Sequence, residues 1–312
     1  MRERLAKCIL ILKDYLTYWR YSLTRHKALD FVSMGLGIQA RYRRYMSEWG
    51  PHLNNTKLFI EQEITSLKNP GAIAVLGAGR LLDFPANILN SGRYEFDLFD
   101  YDPSLMPIWL NLRRSHHSLK GLYCRDVTGV LELWTKRLRQ LSTRTSIKEF
   151  MLALANLPPT DPPIFRLDRY SCVVSLNVLS QLGLYWRDRV MGILVERGIV
   201  SSLDQEIPLE IEEALQINIV ALEKSHLAML NQSGAERIVV VSDTNYLYYR
   251  SDVKVVQKVV AIESEIQLLN YQVKKETTWD WQIAPVGAEG RDYGEMHQVV
   301  AKSFCLSSAL EH

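Results

Sequence analysis

Glycines and acidic residues follow the first two strand-like runs of the chain. Gly77-Ala78-Gly79 comes directly after the apolar run Ala72–Leu76, and Asp100 comes directly after Tyr94–Phe99. Glycines allow a tight turn in which no Cβ blocks the approach of a ligand. An acidic side chain at the tip of the second strand can accept hydrogen bonds from a ribose diol. The stretch from Gly71 to Pro103 therefore predicts a site for an adenosine-type ligand.

The glycine spacing separates two classes of such ligands. The dinucleotide fingerprint G-x-G-x-x-G requires a glycine where this chain has Leu82, because that motif must seat a pyrophosphate on a helix N-terminus. S-adenosylmethionine carries no phosphate, so its site needs only the tight turn and the ribose-binding acid. The spacing therefore favours S-adenosylmethionine over NAD.

The same stretch resembles the first two motifs of the class I (Rossmann-like) S-adenosylmethionine-dependent methyltransferases. It departs from that family in two places. Val75 stands where the family often has an acidic residue, two positions before the first glycine, and Leu81 stands in place of the third glycine. The resemblance implies that Gly77, Ala78 and Gly79 shape the methionine and ribose pocket. It also implies that Asp100 binds the ribose hydroxyls, with Tyr101 beside it.

Asp83 is a further candidate for contact with the cofactor. The sequence predicts a helix from about Leu81 to Leu89, which would place Asp83 in its first turn. A carboxylate in that turn suits the helix dipole and could meet the cofactor's ammonium group. The alternative is that Asp83 and Pro85 only mark the start of a helix.

Two later segments resemble further motifs of the same family. Asp126 and Val127 end a short predicted strand, and the resemblance implies that they hold adenine. The run Val173–Gln181 resembles the fourth motif, so Asn177 is a candidate for both the cofactor and the methyl acceptor. Its alternative role is to cap the following turn. Tyr246, after the predicted strand Glu236–Ser242, is the second candidate on the acceptor side.

The order of elements predicts an α/β fold with a seven-stranded, mostly parallel, doubly wound sheet. Its last strand is expected to be antiparallel, because strand candidates at Thr277–Ile283 and Gln298–Cys305 would form a terminal hairpin. A helix is predicted over Val253–Leu269. We divide the chain into a helical N-terminal cap (residues 1–68), a Rossmann-like domain (69–309) and a tag-like scar (310–312). Within the cap, Gly50-Pro51 is predicted to end the second helix.

Composition limits the remaining classes of function. The chain has 312 residues, 47% of them hydrophobic and 23% charged, with a net charge of +2. This is an ordinary globular composition that argues against a general affinity for nucleic acid. The four cysteines are scattered, which predicts reduced thiols, a cytoplasmic protein and no metal site. No apolar run reaches the length of a membrane span.

These observations lead to one main hypothesis and two alternatives. The main hypothesis is in-line methyl transfer from S-adenosylmethionine to a small molecule or modest acceptor. The first alternative is a methyltransferase-like fold that has lost catalysis and serves as a binding or scaffolding protein. The second is an RNA methyltransferase that uses the basic cluster Arg41, Arg43 and Arg44. In each case the aromatic N-terminal helices could also pack on a second copy of the chain in a homodimer.

Overall fold

The computed structural model describes residues 2–23, 29–69, 71–142, 145–157, 166–201, 209–252 and 254–307. The tag-like scar at 310–312 lies outside them. The helices are α1 (Arg2–Leu23), α2 (Leu29–Arg44), α3 (Met46–Thr65), α4 (Ala86–Leu89), α5 (Met106–Ser115), α6 (Leu131–Gln140), α7 (Ile147–Ala155), α8 (Val178–Glu196) and α9 (Leu209–Asn231). The strands are β1 (Ala72–Leu76), β2 (Glu95–Asp100), β3 (Leu119–Cys124), β4 (Cys172–Leu176), β5 (Arg237–Tyr249), β6 (Val255–Val260), β7 (Tyr271–Ala284) and β8 (Gly294–Leu306).

The described strands form one sheet in the order β3-β2-β1-β4-β5-β8-β7. Strands β1 to β5 are parallel, and β8 lies antiparallel between β5 and β7. This arrangement confirms the predicted fold class, including the antiparallel strand at the end of the chain. The strand order reverses between β1 and β4, and ligands of open α/β sheets bind at the carboxyl ends of strands at such a reversal.

An eighth strand, β6, extends the sheet beyond the predicted seven. It pairs with the distal half of β5, so the helix predicted over Val253–Leu269 is wrong. β6 contains four valines, and β-branched side chains favour strands over helices. β5 is also longer than predicted, because it continues through Tyr249.

The central strands are buried on both faces, since neighbouring side chains point to opposite sides of a strand. In β1, Ala74 and Leu76 pack against α6 to α9, whereas Ile73 and Val75 pack against α3 and α5. Helices therefore cover both faces of the sheet. α3, from the N-terminal region, is one of the helices that pack directly on it.

Two predicted helix boundaries are wrong. Gly50-Pro51 lies inside α3 instead of ending a helix. Trp49 and Leu53 are buried on either side of Pro51 against the end of β7, and this packing offsets the lost hydrogen bond. The helix predicted from Leu81 begins only at Ala86, because Leu81 adopts a left-handed conformation with φ of 57°.

A buried ion pair fastens α3 to the sheet. Glu63 on α3 accepts hydrogen bonds from Arg237 at the start of β5 and from Lys274 on β7. The Glu63 and Arg237 side chains are only 4% and 7% exposed. Burial raises the pKa of Glu63, but hydrogen bonds from Lys274 and Arg237 outweigh burial and hold this pKa below its ordinary value. The pair thus joins the N-terminal helices to the strands that form the site.

Candidate functional site

The glycine turn after β1 is held from three sides. Gly77 has φ of +69°, and a Cβ there would lie 2.4 Å from the Leu176 carbonyl oxygen. Gly79 donates its N–H to Asp100 Oδ2 at 2.9 Å, and its carbonyl accepts from Trp109 Nε1 at 2.9 Å. Apart from its chain neighbours, a Cβ on Gly79 would meet only the Gly77 carbonyl oxygen among the described residues, at 3.9 Å, so the turn leaves room for a ligand on that side. Gly77 is therefore required by packing, whereas Gly79 borders a cavity.

Asp100 organises the crevice between β1 and β2. Its Oδ1 accepts the N–H of Asp102 at 3.0 Å, while its Oδ2 accepts that of Gly79. Burial raises the pKa of Asp100, and these backbone N–H groups oppose that shift. The carboxylate therefore fixes the glycine turn and keeps one further lone pair on each oxygen for a ligand.

A cavity of about 440 Å³ lies at the carboxyl ends of β1 and β4. Sites for small molecules span roughly 300–1,000 Å³, so its size suits a small ligand. Six of the predicted site residues line it: Gly77, Gly79, Asp83, Asp100, Asn177 and Tyr246. The structure therefore brings residues from four separate segments of the chain to one place.

The other predicted residues, Ala78, Tyr101, Asp126 and Val127, do not line this cavity. Ala78 is buried in the turn and donates its N–H to the Phe99 carbonyl. The Asp126 carboxylate accepts hydrogen bonds from Thr128 and from the N–H of Leu131, at the start of α6, and the partly buried Val127 packs against the core. Tyr101 bonds to Glu132 and lines a second cavity of about 430 Å³.

Phe31 of α2 separates the two cavities. Its ring lies 4.5 Å from the Tyr101 ring and 4.3 Å from the Tyr185 ring, measured between centroids. Phe31 and Tyr185 line both cavities. The first cavity holds the glycine turn, and the second borders α6. Asp126 and Val127, where the resemblance places adenine, line neither cavity.

Two buried acceptors near the glycine turn have no hydrogen-bond partner among the described residues. They are Asn177 Oδ1 and Asp102 Oδ2, on residues that are 8% and 5% exposed. Asn177 adopts a left-handed φ of 52°, and its side chain does not cap α8. A buried polar atom without a partner is costly, and a ligand that donates hydrogen bonds would satisfy both.

The same part of the cavity is acidic. Burial raises the pKa values of Asp83 and Asp102 to about 6. Asp83 lies in the loop before α4, and therefore not in a helical turn. Arg80 is the nearest cation to Asp102, and burial lowers its pKa. This half of the cavity suits a ligand that carries a positive charge.

The opposite side of the cavity is an aromatic wall formed by Trp49, His52, Tyr246, Trp281 and His297. Tyr246 and Trp281 are the cross-strand partners of His297 on its two neighbouring strands. α3 lays His52 flat on Trp281, with ring centroids 3.9 Å apart and planes 8° apart. Trp49 packs edge-on against Trp281 at 4.8 Å.

A β-bulge turns Asp243 towards this wall. The register between β5 and β8 shifts between Asp243 and Asn245, which leaves Thr244 without a cross-strand partner. Asp243 and Tyr246, three residues apart, therefore both face the cavity, which regular alternation would not allow. The Tyr246 hydroxyl donates to the Ser180 carbonyl, so the ring of Tyr246, rather than its hydroxyl, borders the cavity.

The two histidines of the wall have opposite protonation states at neutral pH. Burial lowers the pKa of His52 to about 4, and its Nδ1 accepts a hydrogen bond from Trp279 Nε1. His297 lies between Asp243, 3.1 Å from its Nδ1, and Glu295, 3.2 Å from its Nε2. Burial lowers the pKa of His297, but the two carboxylates outweigh burial and raise this pKa to about 9. His52 is thus neutral and His297 is an imidazolium.

We expect histidine-detected NMR to find a His297 midpoint near pH 9 and a His52 midpoint near pH 4. Because the folded pKa of His297 exceeds its ordinary 6.5, its stabilising contribution is complete below pH 6.5 and is lost as pH rises through about 9. Asp243→Asn should lower the His297 midpoint. A His297 midpoint near 6.5 in the wild-type protein would contradict the arrangement.

Sequence reasoning missed most of the aromatic wall. Trp49 was recognised only as one of several aromatic residues in the N-terminal helices, and His52, Trp281, Glu295 and His297 were not identified. Alternation along the two final strands places Trp281 and Ile283 on one face of β7, and Glu295 and His297 on one face of β8. That signal was available, although the contact with α3 was not.

No family model and no curated protein matches the chain. Solved structures are similar to it at low identity. TehB from Haemophilus influenzae is 10% identical, with a TM-score of 0.39, over 78% of this chain and 60% of that chain. An S-adenosylmethionine-dependent methyltransferase from Clostridium acetobutylicum is 9% identical, with a TM-score of 0.36, over 86% and 96%. A proposed RNA methyltransferase from Pyrococcus horikoshii is 9% identical, with a TM-score of 0.36, over 82% and 84%. The chain thus spans less than two thirds of TehB.

The sheet itself decides the fold. Five parallel strands whose order reverses after β1 are followed by a strand that inserts antiparallel between β5 and β7. The fold is that of the class I methyltransferases. Within this methyltransferase fold, the first cavity lies at the strand reversal, and β5, β7 and β8 supply its aromatic wall.

Two kinds of feature are absent from the described residues. No described helix combines the length and hydropathy needed to cross a bilayer. Among the same residues, no group of three or more His, Cys, Asp and Glu side chains is arranged to hold a metal ion.

Proposed function

We propose that the protein is an S-adenosylmethionine-dependent methyltransferase that acts on a small acceptor. The observation that carries this proposal is the pair of unpartnered, buried acceptors, Asn177 Oδ1 and Asp102 Oδ2, beside the glycine turn. S-adenosylmethionine offers an ammonium group, two ribose hydroxyls and a positive sulfonium. These groups would supply donors for the two unpartnered acceptors and a second positive charge beside Asp83 and Asp102, where Arg80 is the cation already present.

The residues present fit this cofactor. A Cβ on Gly79 would have only the Gly77 carbonyl oxygen nearby among the described residues, and Asp100 lines the same cavity. Asp83 remains a proposed contact of the cofactor's ammonium group, and Asn177 a proposed contact of the cofactor and the acceptor; both line the first cavity. Asp126 and Val127 remain proposed contacts of adenine, with Tyr101 on the border of the second cavity.

The cofactor supplies a methyl group on a sulfonium, which is already an activated leaving group. When held near Gly77, Gly79 and Asp100, it would supply an electrophilic methyl group and, as leaving group, a neutral thioether. The protein's task is therefore to align the acceptor and to exclude water. The aromatic wall, opposite the glycine turn, suits that task because its rings form a mostly apolar surface.

The charges near the cavity favour a small acceptor over RNA. Arg41 pairs with Glu289 and Glu295, Arg44 pairs with Glu289, and Arg43 pairs with Asp14. Three carboxylates thus neutralise the three arginines that would otherwise attract a phosphate backbone.

Isothermal titration with S-adenosylmethionine, S-adenosylhomocysteine and NAD tests the proposal. We expect micromolar binding of the first two ligands and no binding of NAD. Asn177→Gly removes Oδ1 yet suits the left-handed backbone, so it should weaken binding by about 10-fold without unfolding the protein. If neither sulfonium nor thioether ligand binds the wild-type protein, the non-catalytic alternative replaces this proposal.

A further inference from the structure

A third unpartnered acceptor lies on the acceptor side of the cavity. Asp243 is 5% exposed, and its Oδ1 has no hydrogen-bond partner among the described residues. Its Oδ2 is bound by His297, which in turn is bound by Glu295. Glu295 also lies 3.7 Å from both Arg41 and Arg291. The network is therefore complete except at one carboxylate oxygen.

The orientation of this carboxylate is fixed. The His297 imidazolium holds Oδ2, and the β-bulge at Thr244 turns the side chain towards the cavity. Asp243 therefore presents Oδ1 to a ligand as a charged hydrogen-bond acceptor. Hydrogen bonds to charged groups are stronger than those between neutral groups, which makes this atom a selective contact.

The surroundings of Oδ1 are flat and aromatic. Tyr246 and Trp281 flank His297 on the neighbouring strands, with ring centroids 4.3 Å and 5.5 Å away. Trp281 Nε1 is a buried donor that has no partner within the described part of the chain. A ligand here thus meets aromatic faces, one strong acceptor and one donor.

From this we propose that the aromatic wall binds a planar ring compound whose O–H or N–H group donates to Asp243 Oδ1. As the methyl acceptor, such a compound would be a phenol-like or indole-like molecule, a reading that rests on the function proposed above. Methylation of that oxygen or nitrogen releases its proton, and Asp243 Oδ1 is the atom placed to receive it. The binding site itself does not depend on the methyl donor.

Two matched pairs of probes test this inference: phenol with anisole, and indole with 1-methylindole. Each pair differs only by a methyl group on the donor atom. Ligand-observed NMR titration of the full chain gives the four affinities. We expect the O–H and N–H members to bind about 10-fold more tightly than their methylated partners, because methylation leaves Asp243 Oδ1 unpaired.

Asp243→Asn should remove this preference. Its amide oxygen must accept the hydrogen bond from His297, so its NH₂ group would face the cavity and turn an acceptor into a donor. Trp281→Phe is the second variant. It keeps an aromatic ring at position 281 and leaves Asp243 unchanged. The preference for the unmethylated probes should therefore persist even if the affinity for every probe falls.

The outcomes separate this inference from the proposed function. No binding of any probe to the wild-type protein, equal binding within each pair, or an unchanged preference in folded Asp243→Asn would overturn it. Titration of the same samples with S-adenosylhomocysteine reports independently on the methyl-donor site. Probe selectivity without S-adenosylhomocysteine binding would retain the inference and refute the methyltransferase proposal.

Discussion

Replacing Asp100 with asparagine is expected to weaken the binding of S-adenosylhomocysteine by about 10- to 100-fold. Asp100 uses both carboxylate oxygens to accept backbone N–H groups, from Gly79 and from Asp102. An asparagine has only one acceptor oxygen, so its NH₂ group must oppose one of these N–H groups. The glycine turn should lose its fixed shape, and the proposed ribose contact should be lost with it.

Isothermal titration measures this effect, and Glu95→Gln is the matched control. Glu95 begins the same strand, has a side chain that is 62% exposed, and pairs with Lys120 at 3.5 Å. The control should therefore bind S-adenosylhomocysteine as the wild type does. Unchanged affinity in a folded Asp100→Asn protein would remove Asp100 from the cofactor site.

Replacing Glu63 with glutamine should lower the free energy of unfolding by about 3–5 kcal/mol. The change leaves Arg237 charged and buried, with its side chain only 7% exposed and its main partner gone. Lys274 would lose the same partner at 3.1 Å. Urea denaturation with circular dichroism measures the loss.

Two further variants identify the cause. Glu61→Gln changes a carboxylate two residues earlier on α3, whose recorded partner is Asn87, and should cost at most about 1 kcal/mol. The double variant Glu63→Met, Arg237→Met should recover most of the stability, because two apolar side chains leave no buried charge. If Glu63→Gln is as stable as the wild type, the ion pair does not anchor α3.

The pH dependence of stability has a definite sign at this pair. The pKa of Glu63 is lowered in the folded protein, so its contribution is present above its ordinary value of 4.5. It is lost as the pH falls through the folded value. In the double methionine variant, this part of the acid sensitivity should be absent.

The half of the site near the glycine turn could be predicted from the sequence because it depends on local order. β1 is a continuous apolar run and β4 is interrupted only by Ser175, and in a parallel sheet the carboxyl ends of β1, β2 and β4 must meet at one edge. That reasoning placed Gly77, Asp100 and Asn177 around one cavity. It needed no knowledge of how distant segments pack.

The aromatic wall could not be predicted in the same way. Trp49 and Ile283 are 234 positions apart, and only the packed structure brings the Trp49 indole to the Ile283 carbonyl. The bulge at Thr244 changes which side chains of β5 face the cavity, and the alternation of residues along β5 does not predict this bulge. The valine-rich β6 depends on pairing with an extension of β5, which local helix patterns conceal.

The position of Phe31 bears on the rate of ligand binding. A nucleoside that reaches from the glycine turn towards α6 must displace this ring from between Tyr101 and Tyr185. The competent form is then only a fraction of the free protein, and the apparent affinity falls by that fraction. If displacement precedes binding, the association rate has a ceiling that added ligand cannot exceed, set by how often α2 moves Phe31 aside.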